Sequence, residues 1–295
     1  MGKIFEALVT GKREAAEFLI PILQDHDPSQ TEPEVEESPS TVETSEECRP
    51  CSAVEVEVSL AGIRSLCLNP AGSSPILPFD GGCDSLATDQ YRILRTKLTQ
   101  HHTQPRIILI SSPGTGDGKS VSAVNLAGAL SLSGDVKVLL MDGDFRRATI
   151  HAQLGLPATP GLADVLAGTA EMGKAIVSAA ELPNLFILPS GSPTMSPAEL
   201  LEGVRWRALI AQLRKLFRYI VIDAPPVEVV AEYSVIQATC EGVLLVIRVD
   251  HTKREMYRLA LKAIPAAKFL GVLLNCVPNW WLSNYPAARY YPGAR

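Results

Sequence analysis

The chain of 295 residues has little that would carry it across a membrane or onto a nucleic acid. No apolar run approaches the roughly 20 residues that a bilayer core demands, and the longest, 243–249 and 269–277, have the length of strands. Basic charge is short: 27 Lys and Arg face 32 Asp and Glu, a formal −5. With aromatics at only 6%, neither the basic surface that displaces counterions from phosphate nor a stacking platform is on offer, so no nucleic-acid partner is expected. Cysteine is sparse, with six residues at 48, 51, 67, 83, 240 and 276. Cys48 and Cys51 have the spacing of half a zinc ribbon whose other half is missing, which leaves reduced thiols as the expected state. Residues 1–24 have charges scattered through them and no cleavage site after an apolar stretch, so no signal peptide is read and a cytoplasmic location is expected. No internal repeat is visible.

What is present divides unevenly. Residues 1–60 carry 4 Lys and Arg against 14 Asp and Glu, a net −10, which leaves +5 for residues 61–295. Four segments follow. Residues 1–24, with Ile4, Phe5, Leu8, Phe18, Leu19 and Ile20, read as an amphipathic helix for a partner or as a frayed end. Residues 25–80 are rich in Glu, Pro, Ser and Thr, with too few apolar side chains to offset ordering entropy, and are predicted to be an acidic disordered linker. Residues 81–278 form the folded body, and residues 279–295, with prolines and small residues, form a flexible tail.

Within the body, residues 85–101 place Leu86, Tyr91, Leu94 and Leu98 at helical spacing. Six near-continuous apolar runs follow, at 106–111, 136–142, 185–189, 219–223, 242–249 and 269–275, separated by helical patterns. Runs of this kind are how strands buried on both faces read. The fold class expected is α/β, three layers, with a mostly parallel sheet of six or more strands.

Between the first of these strands and the helix after it lies SSPGTGDGKS, residues 111–120. Gly114, Gly116 and Gly118 let backbone N–H groups close around phosphate oxygens, Lys119 reaches the β and γ phosphates, and the Ser120 hydroxyl is a magnesium ligand. Pro113 stands where the common P-loop pattern has glycine. The residues expected to bind the nucleoside triphosphate are Pro113, Gly114, Thr115, Gly116, Asp117, Gly118, Lys119, Ser120 and Val121. Two further strands end in carboxylates: one runs into Asp142 and Asp144, the other into Asp223 followed by Ala224, Pro225 and Pro226. Ligands of an open parallel sheet sit outside the carboxyl ends of its strands, so these acids should share the crevice of the phosphate loop and imply Mg2+.

The run at 112–120, LMDGDFR at 140–146 and IVIDAPP at 220–226 together resemble the Walker A, A′ and B motifs of bacterial tyrosine kinases of exopolysaccharide and capsule synthesis, the Wzc/CapB/CpsD group. The blocks Gly161 to Leu166, Leu188 to Gly191 and Pro197 to Leu201 are similar to others that these kinases share. The resemblance implies a P-loop fold and a protein-tyrosine autokinase that uses ATP and Mg2+. Asp142 would be the base that takes the phenolic proton, Asp144 and Asp223 would hold Mg2+ with Ser120, and Lys119 would balance phosphate charge. It implies autophosphorylation at Tyr285, Tyr290 and Tyr291, a ring-forming homo-oligomer through Asp89, Arg92 and Arg95, and an adenine contact at Asn275, which otherwise reads as a strand-end turn residue. The partners implied are a membrane-anchored activator, which would recruit the chain to the inner face of the membrane, and a cognate tyrosine phosphatase; the process is polysaccharide polymerisation and export. The alternative is a switch ATPase of the MinD/ParA type. Its signature lysine, five residues before the P-loop lysine, is replaced here by Gly114.

Overall fold

The computed structural model describes residues 3–5, 62–70, 86–227 and 230–277. These build one nine-stranded sheet covered by helices on both faces. The strands are β1 (Lys3–Phe5), β2 (Arg64–Leu66), β3 (Ile107–Ser111), β4 (Val138–Asp142), β5 (Val177–Ala179), β6 (Leu185–Leu188), β7 (Tyr219–Asp223), β8 (Gly242–Arg248) and β9 (Phe269–Val277). The helices are α1 (Leu86–Thr99), α2 (Lys119–Ser131), α3 (Ile150–Leu154), α4 (Leu162–Ala167), α5 (Met172–Ala175), α6 (Pro197–Glu202), α7 (Val204–Leu216), α8 (Ala231–Thr239) and α9 (Arg254–Ala263). The strand order is β1-β9-β8-β3-β7-β4-β6-β5-β2. The six strands from β9 to β6 are parallel, whereas β1 on β9 and β5 on β6 are antiparallel.

Alternation along each strand divides the core into two layers. Ile107 and Leu109 of β3 and Leu139 and Met141 of β4 enter one layer with side chains of α4, α7, α8 and α9. Ile108, Ile110, Val138 and Leu140 enter the other, against Tyr91, Leu94 and Leu98 of α1 and almost the whole of α2. With both faces covered no polar position is left on these strands until their last residues, which is why the runs read as uninterrupted. Each fully buried Ile or Leu contributes roughly 1.5–3 kcal/mol. No helix among the described residues is long and apolar enough to cross a membrane.

Two expectations from the sequence are corrected at the sheet edges. Lys3 to Phe5, expected within a helix, form a strand paired with β9, Lys3 opposite Val277 and Phe5 opposite Leu274. Three residues suffice here because the exposed edge of β9 supplies the hydrogen-bonding template. Within the segment predicted as disordered linker, residues 62–70 are ordered. Arg64 to Leu66 pair in parallel with Val177 to Ala179, Ile63, Leu66 and Leu68 pack on the two core layers, the Glu181 carboxylate accepts the Leu68 N–H, and Asn69 N–H donates to Leu154 carbonyl at 2.9 Å. Three apolar side chains in alternation outweigh the ordering entropy that composition alone suggests. The other residues of 1–24 and 25–80, and the tail at 279–295, lie outside the described residues.

Two blocks quoted from the sequence clasp each other. Leu162 N–H donates to Pro189 carbonyl and Ala163 N–H to Ser190 carbonyl, both at 2.8 Å. Asp164 accepts from Gly161 N–H at 2.8 Å and Ser192 N–H at 3.1 Å. A Cβ on Gly161 would run into the backbone of Gly191, which fixes both residues as glycine.

Candidate active site

The site forms where β3, β4 and β7 end. Asp142, the last residue of β4, is paired in register with Asp223, the last of β7, and Ile110 of β3 lies opposite Asp223 on the other side. The phosphate loop leaves β3 at this edge, and Lys119 opens α2. Pairing thus brings together Lys119, Ser120, Asp142, Asp144 and Asp223, which lie up to 104 residues apart in sequence.

Lys119 Nζ is the centre of the cluster, 2.8 Å from Asp144 Oδ2 and 3.5 Å from Asp223 Oδ1, and it also reaches Ser120 Oγ at 3.4 Å. Burial alone would lower the ammonium's pKa, but the Asp223 and Asp144 carboxylates outweigh it and hold the lysine above its ordinary value. Asp223 is fully buried, and burial pushes its pKa up against the opposing pull of Lys119 and the Ser120 hydroxyl. Asp142 differs in kind. Its Oδ1 accepts Asp144 N–H and its Oδ2 accepts Thr149 and Ile150 N–H, each at 3.2 Å, so it also organises the turn after β4. Burial, reinforced by the Asp223 charge, pushes its carboxyl up to about 8.

These residues fit Mg2+. Among the described residues no group of three or more His, Cys, Asp and Glu is arranged to hold a metal unaided. A cation that keeps several waters and takes phosphate oxygens needs only one or two carboxylates and a hydroxyl. The buried carboxylate of Asp223, the Asp144 carboxylate and the Ser120 hydroxyl, gathered around Lys119, offer that set.

The phosphate loop is held from within and from two other elements. Asp117, buried inside it, accepts Gly114 N–H at 3.0 Å and the Thr252 hydroxyl at 2.8 Å. His251 Nε2 lies 3.3 Å from the Thr115 carbonyl, and Arg248 donates to the Gly116 carbonyl at 3.4 Å. Gly116 and Gly118 have φ of +86° and +94°, and a Cβ on Gly118 would collide with the Asn275 amide. Asn275, expected to touch adenine, donates from Nδ2 to the Asp117 carbonyl at 2.9 Å and accepts Cys276 N–H at 2.8 Å. Its geometry here is that of a brace on the loop. The spacing between Asp117 and Asn275 gave no hint of this bond.

A cavity of about 250 Å3 opens between Thr115, Gly116, Gly118, Lys119, Ser120 and Val121 on one side and Asp144, Arg147, Thr149 and Gln153 on the other. The last three were missed in the sequence. The signal available was their position just after the Asp142–Asp144 turn, on the path to α3. Of the residues expected to join subunits, Arg92 pairs with Asp89 at 2.9 Å, and Arg95 donates to the Ala129 carbonyl near the end of α2 at 3.1 Å. The tyrosines at 285, 290 and 291 lie outside the described residues.

Fold and site together define a P-loop nucleotide-binding enzyme. Residues 105–259 match a family model described as an AAA domain. The tyrosine-protein kinase YwqD of Bacillus subtilis is 33% identical over 211 residues, 70% of this chain and 87% of that protein. The tyrosine-protein kinase CpsD of Streptococcus agalactiae is 31% identical over 194 residues, 64% of this chain and 84% of that one. Among solved structures, the chimerical protein CapA2B2 has a TM-score of 0.64 at 28% identity, over 69% of this chain and 92% of that chain. The kinase domain of the Escherichia coli tyrosine kinase ETK has a TM-score of 0.59 at 26% identity, over 64% and 74%. The chain belongs to the bacterial tyrosine kinase family and is a protein-tyrosine kinase.

Proposed function

We propose that the chain transfers the γ-phosphoryl group of Mg-ATP to tyrosines of its own C-terminal tail, Tyr285, Tyr290 and Tyr291, and thereby regulates polymerisation and export of an extracellular polysaccharide. The observation that carries this reading is the Lys119 ammonium held between Asp144 and Asp223 at the mouth of the phosphate loop. Phosphoryl transfer asks mainly for positioning and charge neutralisation. The loop N–H groups and Lys119 would hold the β and γ phosphates, and Ser120, Asp144 and Asp223 would hold Mg2+, which when bound would supply positive charge to neutralise the transferring group. Asp142 takes the proton of a phenol whose own pKa is near 10.

The tail is long enough for a neighbouring subunit. From Val277 to Tyr290 is 13 residues, about 45 Å when extended. Transfer in trans accords with a homo-oligomer, a ring built on the α1 face of Asp89 and Arg92. Each phosphate adds about −1.5 to −2 charges and loosens such packing until a phosphatase removes it. A membrane-anchored activator would recruit the chain to the inner face of the membrane, with the segments before the body as its docking region.

The test is incubation of the full chain with Mg-ATP, with an activator present, followed by mapping of phosphate by mass spectrometry. Label at Tyr285, Tyr290 or Tyr291 that vanishes in Lys119→Met supports the kinase reading. ATP turnover without phosphotyrosine would instead support a MinD/ParA-type switch. The replacement of that group's signature lysine by Gly114 stands against the second reading.

A further inference from the structure

Two charged residues outside the catalytic set span the loops that carry its carboxylates. Arg146, the last residue of LMDGDFR, directs Nε and a terminal nitrogen at Glu232 Oε1, each at 3.0 Å. Glu232 lies in the first turn of α8, the helix that follows Asp223 and its two prolines. It is 2% exposed and its Oε2 is buried without a hydrogen bond, whereas the Arg146 side chain is 60% exposed. A carboxylate buried this far forfeits hydration that one half-solvated partner does not restore, and an apolar side chain buried there would not suffer that loss. Fold stability therefore does not account for an acid at this position.

Its location supplies another reason. The turn between Asp142 and Arg147 is pinned at one end by Gly143, whose N–H donates to the Asp223 carbonyl at 2.8 Å. The fit there is tight, since a Cβ on Gly143 would lie 3.1 Å from that carbonyl and 3.2 Å from Ile222 and Ile236. At the other end Arg146 is tied to Glu232. Asp144 sits between the two pins, and its Oδ1 accepts Arg147 N–H at 3.0 Å. We infer that Arg146 and Glu232 are a positioning pair, which sets the Asp144 carboxylate against Asp223 at the separation that Mg-nucleotide requires. Neither touches the reacting atoms. The inference rests on the proposal that Asp144 and Asp223 hold Mg2+, and it adds an outer support to that site of the kind whose loss commonly lowers metal affinity 10–100-fold.

The experiment titrates a fluorescent ATP analogue onto the full chain without metal and then with increasing Mg2+. It compares wild type, Asp144→Asn, Glu232→Gln, Arg146→Ala and Arg146→Lys, and records thermal midpoints. Metal-free nucleotide binding should stay within about twofold in the Glu232 and Arg146 variants, while the Mg2+ concentration at half-saturation rises about tenfold or more. Arg146→Lys should recover part of the loss, and kcat should fall with little change in KM for ATP. An unchanged Mg2+ requirement in Glu232→Gln and Arg146→Ala, alongside a weakened one in Asp144→Asn, would overturn the inference and leave the metal site standing. So would a loss of metal-free binding equal to the loss with Mg2+, which marks general loosening. No Mg2+ dependence in wild type would overturn the metal assignment itself.

Discussion

The Asn275 amide donates to the Asp117 carbonyl at 2.9 Å, a bond that ties the last strand of the sheet to the phosphate loop across 158 residues of chain. Both residues are buried, so the bond is protected from competing water. Losing it should cost about 1 kcal/mol, roughly a fivefold loss in nucleotide affinity. Asn275→Ala is expected to weaken ATP binding by that factor whatever the base, so ATP and GTP titrations should shift in parallel. If Asn275 served adenine alone, only the ATP curve would move.

Lys119→Met should abolish tyrosine phosphorylation, by 10^3-fold or about that order, because charge neutralisation carries most of the transfer. It also removes the only cation that touches the Asp144 and Asp223 carboxylates among the described residues. The protonated form of Asp223, which burial already favours, is then favoured still further. Raised carboxyl pKa values in the folded state give stability that is complete below the unfolded pKa and is lost as pH rises through the folded one. Thermal melts of the variant without nucleotide should therefore match wild type near pH 4 and fall below it by pH 8.

In the site without metal, Asp142 is held well above the ordinary carboxylate range. Its carboxyl, held up to about 8 by burial and the Asp223 charge, is mostly protonated at pH 6.5. Only the ionised form accepts a proton, so the rate of phosphotyrosine formation at saturating Mg-ATP should climb with pH, with a midpoint below the metal-free value of about 8 because Mg2+ on Asp223 relieves the charge that holds Asp142 up. Asp142→Asn should flatten that profile and lower it by about 10^2–10^4-fold. The stability effect has the opposite sign. The Asp142 contribution is present in full below the ordinary carboxylate value near 4 and is lost towards pH 8, so a melt series should show wild type losing ground to Asp142→Asn across that range.

The inner strands were legible because a strand covered on both faces leaves no polar gaps, and 107–111, 138–142 and 219–223 lie inside their apolar runs. The meeting of the two strand-end acids was legible for a related reason. Asp142 and Asp223 are the first polar residues after such runs, and parallel pairing places strand ends side by side. The edges were not. Lys3 to Phe5, Arg64 to Leu66 and Val177 to Ala179 are three-residue strands whose conformation depends on the neighbour that each meets. Nor does a sequence disclose pairs joined only by the fold, such as Asp117 with Thr252 or Arg146 with Glu232. The two pairs lie 135 and 86 residues apart with nothing periodic between them.

Arg92 and Arg95, both proposed for the ring contact, are held differently within the subunit, and substitution should separate them. Arg92 meets Asp89 one turn away and keeps 40% of its side chain exposed, and a local pair of this kind contributes at most a few tenths of a kcal/mol, so exchanging it for a contact in the proposed ring would cost little. Arg95 instead donates to the Ala129 carbonyl, in the last turn of the helix that Lys119 begins. A cation there also complements the negative end of the helix, and its loss should cost about 1 kcal/mol. Arg92→Ala is expected to reduce oligomer size in light scattering while leaving the thermal midpoint of the subunit unchanged. Arg95→Ala should lower the midpoint by a few degrees under conditions where both proteins are monomeric. Equal midpoints for the two variants would show that Arg95 serves the interface alone, and a full-sized oligomer in Arg92→Ala would remove that arginine from the ring contact.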